Sequence, residues 1–274
     1  MTICLATICD NGKSVILISD SMITGEHLSI EFEHKTPKII ILTENCAVAT
    51  AGDALAHTEL FEIVNEQIDR LKAPKISDIV ECIKNCFIDI RQRQIIERIL
   101  KPRGIPDIQT FYSIQGSLVR EVALTIQSEI DNYAYGLEVL VGGVDVKGAH
   151  IQLITDPGTS VSFDSIGYHA IGSGYPHAVT SLIANDYHQQ FPLPKALMTA
   201  YQAKKIAERA PGVGSKITNL AIITQKGVRF FTPEEVFELD KIYMRKLSEE
   251  ESSVVKTWEK EVEDLLRKAS ILIN

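Results

Sequence analysis

The sequence predicts an α/β chain of the α+β kind, a four-layer α-β-β-α sandwich built on two antiparallel sheets. Three observations lead there. Short turns join the first four apolar runs in pairs, and short turns force antiparallel pairing. Those runs, TICLATIC (2–9), SVILISD (14–20), KIIIL (38–42) and CAVATA (46–51), are apolar on both alternating faces. Both faces of their sheet must therefore be covered. Helical periodicity then appears in separate blocks, which places helices outside a stacked pair of sheets.

The elements follow in order. Asp10-Asn11-Gly12-Lys13 joins the first pair through Asn-Gly, a strong hairpin signal, and Thr43-Glu44-Asn45 joins the second. Residues 53–72 carry Leu55, Leu60, Ile63, Ile68 and Leu71 near a 3.6-residue spacing. Residues 77–101 open on Ser77 as the expected N-cap and stop at Pro102. A second strand-rich block runs from about 135 to 171, with turns at 145–148 and 156–159. Gly172-Ser173-Gly174 leads into a helix at about 176–190, a second helix follows Pro192 to about 210, and strands are expected at 217–224 and 228–231. The tail aligns Trp258, Val262, Leu265 and Leu266 on one helical face. The expected organisation is one domain over 2–232, with a helical or irregular insertion at about 100–133, and a helical C-terminal extension over 233–274.

Composition narrows the function. The 274 residues are 45% hydrophobic and 23% charged, with a net charge of -8, which argues against nucleic acid as a partner. The basic cluster Arg91 to Arg103 alternates with Ile, Glu and Gln and is read as a solvated helix face. No membrane span or signal peptide is recognisable. Cys4, Cys9, Cys46, Cys82 and Cys86 form no disulfide or metal framework and are read as buried thiols of a cytoplasmic protein. His57, His169 and His177 lack partners at ligand spacing. No metal or cofactor is expected.

Hairpin arithmetic brings reactive groups together. A turn centred on Asn11-Gly12 sets Thr2 opposite Ser21, next to Asp20. A turn centred on Glu44-Asn45 sets Lys38 opposite Ala51, with Gly52 just beyond. Side by side, the two hairpins unite a hydroxyl, a carboxylate, an ammonium and a glycine N–H. A threonine hydroxyl needs a base, and an N-terminal threonine carries its own amine, with an ordinary pKa of about 7.7–8.0. Loss of Met1 would expose Thr2. Lys38 would ease deprotonation, Asp20 would hold Lys38, and Gly52 would donate to an oxyanion.

These residues carry a resemblance. Thr2-Ile3-Cys4, Ser19-Asp20, Lys38-Ile39-Ile40-Ile41 and Thr50-Ala51-Gly52-Asp53 resemble the proteasome β-subunit family, with its bacterial relatives HslV and Anbu. So do Leu140-Val141-Gly142-Gly143-Val144-Asp145, Ala170-Ile171-Gly172-Ser173-Gly174 and Asn219-Leu220-Ala221-Ile222-Ile223-Thr224, all in the family's order. The resemblance implies an N-terminal-nucleophile (Ntn) hydrolase fold and a threonine peptidase or amidase. Thr2 would be nucleophile and base, Lys38 and Asp20 its charge partners, Gly52 the oxyanion donor and Ser173 the hydroxyl near the amine. It further implies peptide or protein substrates, a ring or spiral homo-oligomer and an unfoldase partner.

Two departures favour an alternative, a catalytically inactive structural ring subunit. Met22 stands where the family often has Arg, and the family's late supporting Asp and Ser are poorly matched by Ala210-Pro211-Gly212-Val213-Gly214-Ser215, with Ser215 the plausible survivor. Acyl transfer to an amine instead of water is a third reading.

Overall fold

The computed structural model describes residues 2–25, 30–33, 38–250 and 257–269. Met1 and the side chains of Leu55 and Trp258 lie outside the described residues. The strands are β1 (Cys4–Cys9), β2 (Ser14–Asp20), β3 (Met22–Gly25), β4 (Ile30–Glu33), β5 (Ile39–Thr43), β6 (Cys46–Gly52), β7 (Leu137–Asp145), β8 (Gly148–Thr155), β9 (Thr159–Ser162), β10 (Tyr168–Ile171), β11 (Thr218–Thr224) and β12 (Gly227–Phe230). The helices are α1 (Ala54–Ile68), α2 (Ile76–Ile95), α3 (Ile108–Ile114), α4 (Arg120–Asp131), α5 (Tyr175–Ala184), α6 (Leu193–Ala207), α7 (Pro233–Glu250) and α8 (Thr257–Lys268).

Two five-stranded antiparallel sheets form the centre, one ordered β10-β1-β2-β11-β12 and the other β5-β6-β7-β8-β9, with β3-β4 as a separate ribbon. Strand alternation sorts the side chains into layers. Cys4, Ala6, Ile8, Val15 and Leu17 meet Ala47, Ala49, Leu140 and Ile151 between the sheets. Ile3, Leu5, Ile16 and Ile18 face outward against Leu197, Tyr201 and Leu266 of the helices. Cys46, Val48, Val139 and Val141 face the other way, against Leu60, Ile83 and Phe87. The result is the α-β-β-α sandwich, with β1 and β2 buried along their whole length.

The first hairpin has the expected register, Cys4 facing Ser19 and Cys9 facing Ser14. Asp10 and Asn11 (both φ 56) and Gly12 (φ 77) make its left-handed turn. The second hairpin is out of step. A β-bulge between Ile41 and Thr43 shifts the pairing by one residue, so Ile39 faces Ala49 and Lys38 stands beside Thr50, not Ala51.

Three helix expectations are corrected. The first helix ends at Ile68, not 72. Helix α2 takes Lys75, not Ser77, as its N-cap, because the Asp78 carboxylate turns back to accept the Lys75 N–H at 3.0 Å. Pro102 does not stop it abruptly. A π turn (Ile96–Leu100) and a 3-10 turn (Lys101–Arg103) carry the chain past the proline to Gly104, φ 76. The stretch 100–133 holds α3 and α4, packed around Phe111, Ile126 and Ile130 as a small core of their own.

Arg91 is not a solvated side chain. It donates to the carbonyls of Tyr133 (2.8 Å) and Ile130 (3.3 Å), satisfying backbone acceptors at the end of α4. Arg103 likewise binds the Ile99 carbonyl and Glu129. In the tail, Val262 and Leu266 are fully buried beside α6. No helix among the described residues is long and apolar enough to cross a membrane.

Candidate active site

Thr2 and Ile3 precede β1, and Thr2 is only 5% exposed. Asp20 closes β2 and is completely buried. A buried carboxylate must be saturated with donors to remain in the fold. Its Oδ1 accepts from Thr2 Oγ1 (3.0 Å), the Ile3 N–H (3.2 Å) and Lys38 Nζ (2.7 Å). Its Oδ2 accepts from the Gly214 N–H at 2.8 Å. Thr2 and Lys38 therefore meet on one oxygen, although they come from different sheets.

Ser173 approaches from the other side. Its Oγ accepts from the Thr2 main-chain nitrogen at 3.1 Å, and the Gly174 N–H donates to the Thr2 carbonyl at 3.0 Å. Gly172 makes this clasp sterically feasible. Its φ is +85°, and a Cβ there would lie 2.5 Å from the Thr2 carbonyl oxygen.

Gly52 ends β6 opposite Leu137 and is exposed at the rim. Its φ of +117° is closed to side chains, since a Cβ would fall 2.0 Å from the Gly136 carbonyl oxygen. It is linked to the Thr2 group through neighbours. Ala51 pairs with Glu138, the Glu138 carboxylate accepts from the Gly172 N–H at 3.0 Å, and Gly172 packs on Thr2. Cys4 Sγ also donates to the Thr50 carbonyl at 3.3 Å, joining β1 to β6.

The structure thus brings Thr2, Asp20, Lys38 and Ser173 into direct contact, with Gly52 at the adjoining rim. Ser215 is exposed, and it is Gly214 beside it that reaches Asp20. Ala210 and Val213 are buried in the core instead.

Three groups escaped the sequence reading. Gly214 acts through its backbone, which side-chain motifs do not register. Glu138 interrupts the apolar run LEVLVGG and shares its strand face with Leu140, which points between the sheets. Lys204 is fully buried on α6 and donates to Thr218 Oγ1 at 2.7 Å, directly opposite Asp20 in the register. Burial lowers its pKa, with Glu208 and Asp20 opposing that shift. A lysine within the apolar periodicity of α6 was the signal for it.

Electrostatics marks how close these charges lie. Burial drives the Cys4 thiol far above its ordinary value, Lys38 acts against that shift, and Asp20 and Glu138 act with it. The remaining thiols are free, and burial lifts Cys46 and Cys86 to about 12. His57, His169 and His177 do not join the group. Burial lowers His57 and brings His169 down to about 4, with its ring stacked on Phe163. His177 is exposed. Among the described residues, no three His, Cys, Asp or Glu side chains gather to hold a metal ion. A separate cleft of about 670 Å³, lined by Glu44, Lys75, Asp145 and Gln225 among others, lies at the opposite end of the strands.

No family model matches this chain. Curated relatives do. It is similar to proteasome subunit beta 1 of Korarchaeum cryptofilum (strain OPF8), 32% identical over 147 residues, which cover 52% of this chain and 69% of that protein. It is 25% identical over 193 residues to proteasome subunit beta of Ferroglobus placidus, covering 69% of this chain and 89% of the relative. It is 39% identical over 93 residues to proteasome subunit beta 2 of Pyrobaculum arsenaticum, where it spans 34% of itself and only 43% of the relative's length. Two antiparallel sheets between helix layers are consistent with the N-terminal-nucleophile hydrolase class. Within that class, the chain belongs to the proteasome β-subunit family.

Proposed function

We propose that the chain is a threonine hydrolase that cleaves peptide or related amide bonds with Thr2 as its nucleophile. One observation carries the reading: Thr2 Oγ1 and Lys38 Nζ share Asp20 Oδ1 while Ser173 Oγ accepts from the Thr2 nitrogen. Processing that removes Met1 turns that nitrogen into a free amine. The amine then takes the hydroxyl proton as Oγ1 bonds to the substrate carbonyl carbon. The carbonyl electron pair moves to oxygen, where the Gly52 N–H donates; loss of one such donor costs about 10²–10³-fold in rate in other enzymes. Collapse breaks the C–N bond, the leaving amine carries off the proton, and Thr2 is left as an ester. Water, deprotonated by the same amine, hydrolyses it. The nearby Lys38 charge favours the alkoxide-like oxygen throughout.

Peptide or protein segments are the proposed substrates. Family membership supports self-assembly into a ring; a spiral form, an enclosed chamber and an unfoldase that feeds it belong to the proposal.

The test pairs intact mass with a peptide β-lactone, which acylates Thr2 Oγ1 by opening its own ring. Expected are loss of Met1 and a single adduct on Thr2, absent in Thr2→Ala. Retention of Met1 in the native protein would end the reading. A second reading, an inactive structural subunit, draws on Met22 and on the apolar burial of Ala210 and Val213. A free Thr2 amine that no β-lactone or epoxyketone modifies would favour it.

A further inference from the structure

We propose that Glu138 is a positioning residue for Thr2, a carboxylate supplied by the second sheet that holds the Gly172–Ser173 turn against the Thr2 nitrogen. The inference rests on the reading of Thr2 as nucleophile and adds a residue to it.

Parity puts the side chain in place. Glu138 alternates with Val139 and shares its face with Leu140, so it projects between the sheets at the end where Thr2 lies. There its Oε2 accepts from the Gly172 N–H at 3.0 Å. The turn it holds embraces Thr2: Ser173 Oγ accepts from the Thr2 nitrogen, and the Gly174 N–H donates to the Thr2 carbonyl. Gly172 packs so closely on Thr2 that a displacement of the turn is passed directly to the nucleophile. The strap therefore sets the distance between Ser173 and the amine.

Charge gives Glu138 a second role. Asp20 is saturated by four donors, and the 210–215 segment contributes only a backbone N–H. Glu138 is then a second carboxylate at this end of the sandwich, joined to Thr2 through the Gly172–Ser173 turn. Among the described residues, the charged or titratable groups of this region include Cys4 on β1, Asp20 on β2, Lys38 ahead of β5, Asp53 after β6, Asp156 after β8, His169 on β10 and Lys204 on α6. A carboxylate near the amine favours its ammonium form and raises the pH at which it serves as base.

The experiment follows peptide β-lactone acylation of Thr2 against pH in the wild type, Glu138→Gln and Glu138→Ala, with thermal midpoints measured in parallel. Glu138→Gln keeps an acceptor for Gly172 but removes the charge. Its rate at high pH should stay within about threefold of wild type, while the acidic limb moves down by about half a pH unit or more. Glu138→Ala loses the acceptor as well and should be slower by about tenfold across the range. An unmoved pH profile in Glu138→Gln overturns the charge role; a Glu138→Ala rate equal to that of Glu138→Gln, or losses in both variants that follow only a lowered thermal midpoint, overturns the positioning role, and either result leaves Thr2 chemistry intact. A wild-type chain that is never acylated overturns the reading of Thr2 itself, and the role of Glu138 falls with it.

Discussion

Lys38 Nζ lies 2.7 Å from Asp20 Oδ1, and this ion pair ties the two sheets together at the end of the sandwich where Thr2 lies. Asp20 is fully buried and the Lys38 side chain is 13% exposed. Removing one partner of such a pair leaves the other with a desolvation cost and no compensation. Asp20→Ala should lower stability by about 3–5 kcal/mol in urea unfolding and abolish β-lactone labelling. Asp20→Asn, which keeps the shape and one acceptor, should lose less stability but also fail to label. Unchanged labelling in Asp20→Asn would separate Asp20 from the proposed chemistry.

Gly52 offers a steric test. With φ at +117° and the Gly136 carbonyl oxygen 2.0 Å from any added Cβ, Gly52→Ala forces the end of β6 to move. The expected cost is about 1–3 kcal/mol. Labelling should fall far more than stability, since the rim of the site shifts while the hydrophobic cores are untouched. A variant with normal stability and normal labelling would show that the Gly52 N–H plays no part at the site.

His150 supplies a pH dependence remote from Thr2. Its Nδ1 contacts Asp164 Oδ2 at 2.7 Å and its Nε2 contacts Asp145 Oδ1 at 3.1 Å. The hydrogen bond to Asp164, aided by that to Asp145, raises the His150 pKa above its ordinary value, although burial opposes this. Burial acts to raise both carboxyls, but their hydrogen bonds, including those with His150, bring each below the usual carboxylate range. A raised histidine stabilises the fold fully below the unfolded value of about 6.5, and loses that contribution as pH rises through the folded value. The depressed carboxyls contribute above their unfolded values and lose it in acid. The stability difference between wild type and His150→Asn should therefore be largest near pH 5.5 and smaller at pH 8.5, measured by thermal midpoints. A difference that grows toward pH 8.5 would refute the assignment.

The stretch 100–133 contributes to a small separate core, and Phe111 within it is fully buried. Phe111→Ala should cost about 3–5 kcal/mol. Because Phe111 packs within α3 and α4 and not between the sheets, hydrogen exchange should rise first over 100–133, with β1 and β2 still protected. Equal loss of protection in β1 would contradict an independent core.

Local rules account for what was legible. The Asn11-Gly12 turn sets the first register, because left-handed φ values close a two-strand ribbon in one way only. The second hairpin lacks such a dipeptide, and its bulge moved Lys38 by one position without moving it off the site. The helix ends at Lys75 and Gly104 were missed because Asp78 and the π turn act on backbone groups that periodicity does not register. Gly214, Lys204 and Glu138 were missed for a different reason. Each meets the site through the stacking of separate elements, at sequence distances of 194, 14 and 34 residues from its partner.

Taken by itself, the sequence determined the family resemblance, the antiparallel pairs, the layer order and the five residues to examine. The pairs, the layers and the convergence of Thr2, Asp20, Lys38 and Gly52 follow from alternation, turn chemistry and spacing, all of which are local, whereas Ser173 came from the resemblance alone. Only the tertiary structure decided that Thr2 and Lys38 share one oxygen of Asp20, that Gly214 completes that carboxylate, and that Glu138 straps the Ser173 turn. These are contacts between elements, set by how two sheets and their helices pack in space, and no local rule along the chain specifies them.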